Sequence, residues 1–111
     1  MFARFRRKRM NPVLRDLLQE THLSVNDFIY PLFARSGTGI KDEVGSMPGV
    51  FQMSIDEIVK ECDELKKLGI RSIILFGIPD TKDSVGSDAM CEHGIMAQTV
   101  REVKAAHPDM F

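Results

Sequence analysis

Lys82 and Asp83 stand just beyond an apolar run, Ile73 to Phe76, that Gly77 to Pro79 bring to a stop. A lysine past the carboxyl end of a strand sits where α/β proteins place their chemistry, and a desolvated one can attack a carbonyl carbon to form a Schiff base. Its neighbours Asp80, Thr81, Asp83 and Ser84 make a wet polar loop, which favours a solvated lysine over a nucleophile. Cys91, Glu92 and His93 bring metal-ligating types together, but a zinc site needs three or four ligands at recognisable spacing, and this group has no further partner in the chain. Gly37-x-Gly39 resembles part of a phosphate-binding loop, without the third glycine or the immediate helix that such a loop requires. Read from the residues alone, no catalytic constellation is complete.

The charge distribution raises a different possibility. The formal net charge is −1, yet Arg4, Arg6, Arg7, Lys8 and Arg9 crowd the first ten residues. Clustered basic side chains can neutralise nucleic-acid phosphates, but only Phe2 and Phe5 interleave and no recognition module follows, so a solvated or subunit-embracing arm is the simpler reading. Cys62 lies on an apolar stripe and reads as a small core residue. His22 and His107 fall at helix ends, where His107 can favour the helix dipole. Two cysteines do not make a disulfide framework, and no apolar run reaches the length of a membrane span. These features, with no secretory signal core, point to the cytoplasm.

The elements that must position any site follow from periodicity. At 111 residues, 43% hydrophobic and 28% charged, the chain is the size of one globular domain or a piece of one. Asn11 and Pro12 make a helix start, with a short helix ending near Glu20 to His22. Asp27 to Ala34 reads as a strand, placed at an edge or distorted because of Pro31. Ser36 to Gly49 reads as a loop on its glycine and proline content. Ser54 and Glu57 match a capping box for a helix over Ile55 to Leu68, and Gly69 fits its C-terminal cap. Ile70 to Pro79 is β-branched, short and uninterrupted, the signature of a strand buried on both faces in a parallel sheet. Asp80 to Glu92 is a loop, His93 to Ala106 an amphipathic helix stopped by Pro108. The alternation predicts a further strand directly after Phe111.

Four stretches in order then resemble the N-terminal part of the delta-aminolevulinate dehydratase (porphobilinogen synthase) family. They are RFRRKR running into LRDLLQETHLSVNDFIYPLF, then SMPGVFQMSIDEI, then LGIRSIILFGIP with TKDSVGSDA, and last HGIMAQTVREVKAAHPD. SMPGV, the LFGIP strand end and the KD-x-x-GS loop are jointly specific. The resemblance implies an α/β fold: the first two βα units of a TIM barrel of about eight such units, preceded by an extended N-terminal arm and a short helix. It divides the chain into the arm and helix at 1–22 and a partial barrel at 23–111, cut from an enzyme roughly three times longer.

The same resemblance implies condensation of two 5-aminolevulinate molecules to porphobilinogen with loss of water. It implies a homo-oligomer, commonly an octamer, held by the arm that carries Arg4, Arg6, Arg7 and Arg9, and no membrane or nucleic-acid partner. The family's two Schiff-base lysines and its zinc motif lie beyond Phe111, so zinc and/or magnesium is expected of the full-length enzyme and no cofactor of this segment. Cys91 is outside the zinc motif. One pocket position maps onto this chain: Phe76, at the end of the second barrel strand, against a plain core-packing role. The segment alone is expected to be inactive and, with unpaired strand edges, loosely folded or prone to aggregate. The alternative is a non-catalytic assembly or nucleic-acid-binding module built on the arm.

Overall fold

The computed structural model describes residues 6–111. A single turn at Arg7–Arg9 leads to α1, Pro12–Leu17, whose first amides Val13 and Leu14 donate to the Asn11 side-chain oxygen at 2.9 and 3.4 Å. The helix start is where the sequence puts it, but the helix ends at Leu17, short of Glu20. Val13 and Leu17 are exposed, and a single helix without a packing partner is marginal in water. A second turn, Val25–Asp27, is closed by a reciprocal pair in which Ser24 N–H donates to Asp27 at 2.7 Å and Asn26 N–H donates to the Ser24 hydroxyl. That turn delays the first strand from Asp27 to Tyr30.

A four-stranded sheet follows: β1 (Tyr30–Arg35), β2 (Lys41–Glu43), β3 (Phe51–Met53) and β4 (Ile73–Ile78), in the order β2-β3-β1-β4. β1 runs parallel to both β3 and β4, and β2 is antiparallel to β3. Two expectations change here. β1 is an interior strand, so Pro31 is not at an edge. Tyr30 N–H donates across to Ser72 beside β4, so by alternation Pro31 turns its missing donor to the other side, beyond the stretch where β3 pairs, which covers Phe33 and Ala34 only. The second change is the hairpin β2–β3. Its strands are three residues long and β2 is exposed along its length, so the segment carries no alternation for periodicity to detect.

Between β3 and β4 the chain forms α2, Ile55–Lys67, with Ile58, Cys62 and Leu65 buried, each apolar side chain contributing roughly 1.5 to 3 kcal/mol. Gly69 at φ 84 ends it, with Gly69 N–H donating to Lys66 and Ile70 N–H to Leu65, the bonding of a Schellman cap. The expected capping box is absent. Ser54 is fully buried and its hydroxyl instead accepts the Ile40 N–H at 2.9 Å, stitching the helix start to the entrance of β2.

After β4 come one turn of helix, α3 (Ser87–Met90), inside the stretch read as loop, and α4, Ile95–Ala106. Helices α2 and α4 cover one sheet face, where Leu32, Ala34, Met53, Ile58, Cys62, Ile95, Val103 and Met110 form the core. The other face is open. Ile74 and Phe76 on it are 46% and 45% exposed, so β4 is buried on one face rather than two; no element among the described residues covers the second. Phe111 lies beside β4 as the first residue of a parallel strand would: its N–H donates to Arg71 and its carbonyl accepts from Ile73 N–H, both at 2.8 Å. No helix among the described residues is long and apolar enough to cross a membrane.

Candidate functional site

The register of β1 and β4 sets the open face. Leu32 pairs with Leu75 and Phe33 with Phe76; because side chains alternate, Leu32 and Leu75 turn to the helices while Phe33 and Phe76 turn to the open side. Their rings stack with centroids 5.3 Å apart and planes at 22°. Arg35 follows Phe33 on the same side of β1, and its guanidinium donates to Asp42 of β2 at 2.8 Å. The open face is therefore apolar toward β4 and charged toward β2.

Past the carboxyl end of β4 a cleft of about 270 Å³ is lined by Gly77, Pro79, Lys82, Asp83, Ser87 and Met96, among others. Its floor depends on Gly77, where a Cβ would meet Met96 and Ile95 at 2.6 to 3.1 Å. Asp83 shapes the rim, its carboxylate accepting the N–H groups of Val85 at 3.2 Å and Ser87 at 3.0 Å. Hydrogen bonds from Ser87, and from the Val85 and Gly86 backbone, hold that carboxyl below the usual range. Lys82 is exposed on this rim, as its polar neighbours led one to expect.

The other sequence candidates do not converge here. Arg6, Arg7 and Arg9 are exposed at the opposite end of the chain, and Arg4 lies outside the described residues. Cys91 and His93 are exposed and flank Glu92 in the turn before α4. Among the described residues no three His, Cys, Asp or Glu side chains gather as a metal requires, so the side chains in hand do not fit the zinc or magnesium of the resemblance. The Gly39 N–H is spent on the Asp56 carboxylate, at 3.0 Å to one oxygen, rather than left to cradle a phosphate. Cys62 is a free, fully buried core residue. His107 is buried too, with Nε2 at 3.2 Å from the Val59 carbonyl oxygen. Phe33 is the neighbour that sequence reading does not single out; pairing LFA of β1 against LFG of β4 in parallel register would have found it.

Parallel strands joined through a covering helix, with the loops and cleft gathered at the carboxyl ends of the strands, define a segment of a TIM barrel. The chain belongs to the delta-aminolevulinic acid dehydratase family, whose sequence pattern matches residues 2–111. It is 49% identical to the delta-aminolevulinic acid dehydratase of Halalkalibacterium halodurans over 109 residues, covering 98% of this chain and 33% of that protein. To the Helicobacter pylori enzyme of the same name it is 50% identical, over 100% of this chain and 35% of the relative. The chain thus spans about a third of the length of these relatives. The crystal structure of delta-aminolevulinic acid dehydratase (porphobilinogen synthase) from Toxoplasma gondii, in complex with the reaction product porphobilinogen, superposes with a TM-score of 0.89 at 29% identity. That match covers 100% of this chain and 32% of the other.

Proposed function

We propose that this chain is the N-terminal third of a porphobilinogen synthase, a hydro-lyase that condenses two molecules of 5-aminolevulinate to porphobilinogen with loss of water. The observation that carries the reading is the family match over residues 2–111. Within it, residues 1–22 serve as the arm and residues 23–111 as the opening part of the barrel. The role of the segment is to supply one wall of the pocket: Phe76 presents an aromatic face to the substrate's carbon chain, in support of which stand its position on the open face at the carboxyl end of β4 and its half-exposed ring. The lysines that would bind each substrate's keto carbon as an imine, and the zinc and/or magnesium of the full-length enzyme, belong to the remainder of the barrel.

The exposed residues between Arg6 and Leu17 support an assembly role. Arg6, Arg7 and Arg9, together with Val13 and Leu17, are all solvent-facing, and we assign them, with Arg4, to contacts with a neighbouring copy in a homo-oligomer of octameric order in the cytoplasm. The test is to supply 5-aminolevulinate to the full-length protein containing this segment and follow porphobilinogen colorimetrically. Formation of porphobilinogen supports the reading; a full-length protein that leaves 5-aminolevulinate unchanged contradicts it.

A further inference from the structure

We infer that Asp83 is a positioning residue, whose carboxylate folds residues 83–87 into a fixed turn at the barrel mouth and so sets the rim of the substrate pocket; this rests on the porphobilinogen synthase reading above. TIM barrels do their chemistry in the loops that follow the carboxyl ends of the strands, and the loop after β4 is one of these. Residues 80–86 form neither helix nor strand, so no regular ladder of backbone bonds holds them. The Asp83 carboxylate supplies the restraint instead: one of its oxygens accepts the N–H groups of both Val85, at 3.2 Å, and Ser87, at 3.0 Å. Short acidic side chains hold turns in this way, by bonding amides a few residues on. Gly86 stands between the two donors at φ 67, the left-handed conformation that brings the Ser87 amide round to the carboxylate. The lowered Asp83 carboxyl agrees with this geometry, held down first by the Ser87 side chain and then by the Ser87, Val85 and Gly86 backbone. The turn is a property of its own βα unit. Its donors lie within four residues of Asp83; the loop starts where Gly77 packs against Met96 and Ile95, and it ends where the Gly94 backbone lies against the Asp88 carbonyl. All of these contacts fall inside residues 77–96, so closing the barrel beside β4 leaves them in place.

A rim ordered before substrate arrives lowers the ordering needed at binding, so losing Asp83 acts on KM more than on kcat. The experiment uses the full-length enzyme containing this chain, as parent and as Asp83→Ala, Asp83→Asn and Gly86→Ala. KM and kcat for 5-aminolevulinate are measured together with amide hydrogen exchange of the peptide spanning residues 83–90, which reads the turn directly. Asp83→Ala is expected to speed exchange at Val85 and Ser87 and to raise KM about five-fold, with kcat within about two-fold of the parent. Asp83→Asn keeps an acceptor oxygen and drops the charge, and its KM should stay within about two-fold of the parent. Gly86→Ala keeps the charge and strains the left-handed turn; it should follow Asp83→Ala, and it carries the test if the Asp83→Ala protein does not accumulate. Faster exchange with the parent KM overturns the positioning role, because the turn then has no bearing on the pocket. An Asp83→Asn KM as high as that of Asp83→Ala overturns it too, because charge and not the turn then sets KM. Unchanged exchange in Asp83→Ala overturns the turn itself. In each of these cases the parent still makes porphobilinogen and the functional reading stands; a parent that makes none overturns that reading, and the positioning role with it.

Discussion

The Nε2 atom of His107 lies 3.2 Å from the carbonyl oxygen of Val59, joining the C-terminal cap of α4 to the middle of α2. The ring is buried and Asp63 stands 3.6 Å away, so with the proton on Nε2 it donates to Val59 and fixes how the two covering helices meet. His107→Ala removes both the bond and the ring volume, at a cost of about 2 kcal/mol. Urea unfolding should show a lower midpoint with unchanged slope; an unchanged midpoint would mean that the two helices hold together without the histidine.

Cys62 and Cys91 should react at very different rates. Burial, followed by the negative Asp63 and Glu61, pushes the Cys62 thiol up to about 11, while Cys91 is exposed. Iodoacetamide at pH 8 is expected to modify Cys91 in the native chain and Cys62 only after unfolding, as read by mass spectrometry. The linkage has a definite sign. A raised folded-state value leaves the contribution of Cys62 whole below the ordinary thiol value of 9.0 and erodes it as pH climbs from there toward about 11. Cys62→Ala should remove that part of the alkaline loss of stability.

Two glycines should respond oppositely to alanine. At Gly94 a Cβ would collide with the Asp88 carbonyl oxygen and crowd that of Cys91 at 3.1 Å, backbone atoms of the corner between α3 and α4. At Gly45 it would meet open space. Gly94→Ala is expected to cost about 1 to 3 kcal/mol and Gly45→Ala to stay within about 0.5 kcal/mol of the parent. Equal melting temperatures for the two variants would contradict the packing described at that corner.

Much of this arrangement is legible in the sequence wherever an element buries a face. The stripe Ile58, Cys62 and Leu65 and the cap at Gly69 define α2 to within a residue, and the Asn11 cap is where its side chain says it should be. Legibility fails where tertiary context decides. Ser54 looks like a helix cap, but its hydroxyl finds the Ile40 amide instead. Lys41–Glu43 has no buried side chain, so only its partner strand makes it β. Ile73 to Phe76 reads as doubly buried because its composition suits a closed barrel, whereas among the described residues nothing covers the face that carries Ile74 and Phe76. The family motifs lead to Phe76, but nothing along the chain marks the Phe33 ring; that contact exists only through the register of two strands.

The open face should govern the behaviour of the isolated chain. Ile74 and Phe76 are half exposed, and the β4 edge pairs at its start with Phe111. Contiguous apolar surface beside an unpaired edge favours self-association. Purified residues 1–111 are expected to bind a hydrophobic dye and to sediment as mixed oligomers, and Ile74→Lys, which places a charge on that face, to raise the soluble fraction. Monomeric behaviour of the parent chain would show that the face is not sticky.

The most direct measurement is porphobilinogen formation from 5-aminolevulinate by purified residues 1–111, run beside the full-length protein. A chain that contributes one pocket wall and none of the imine-forming lysines should give no product while the full-length protein does. Measurable turnover by the 111-residue chain, with Lys82 at the cleft rim as the first group to suspect, would contradict the account.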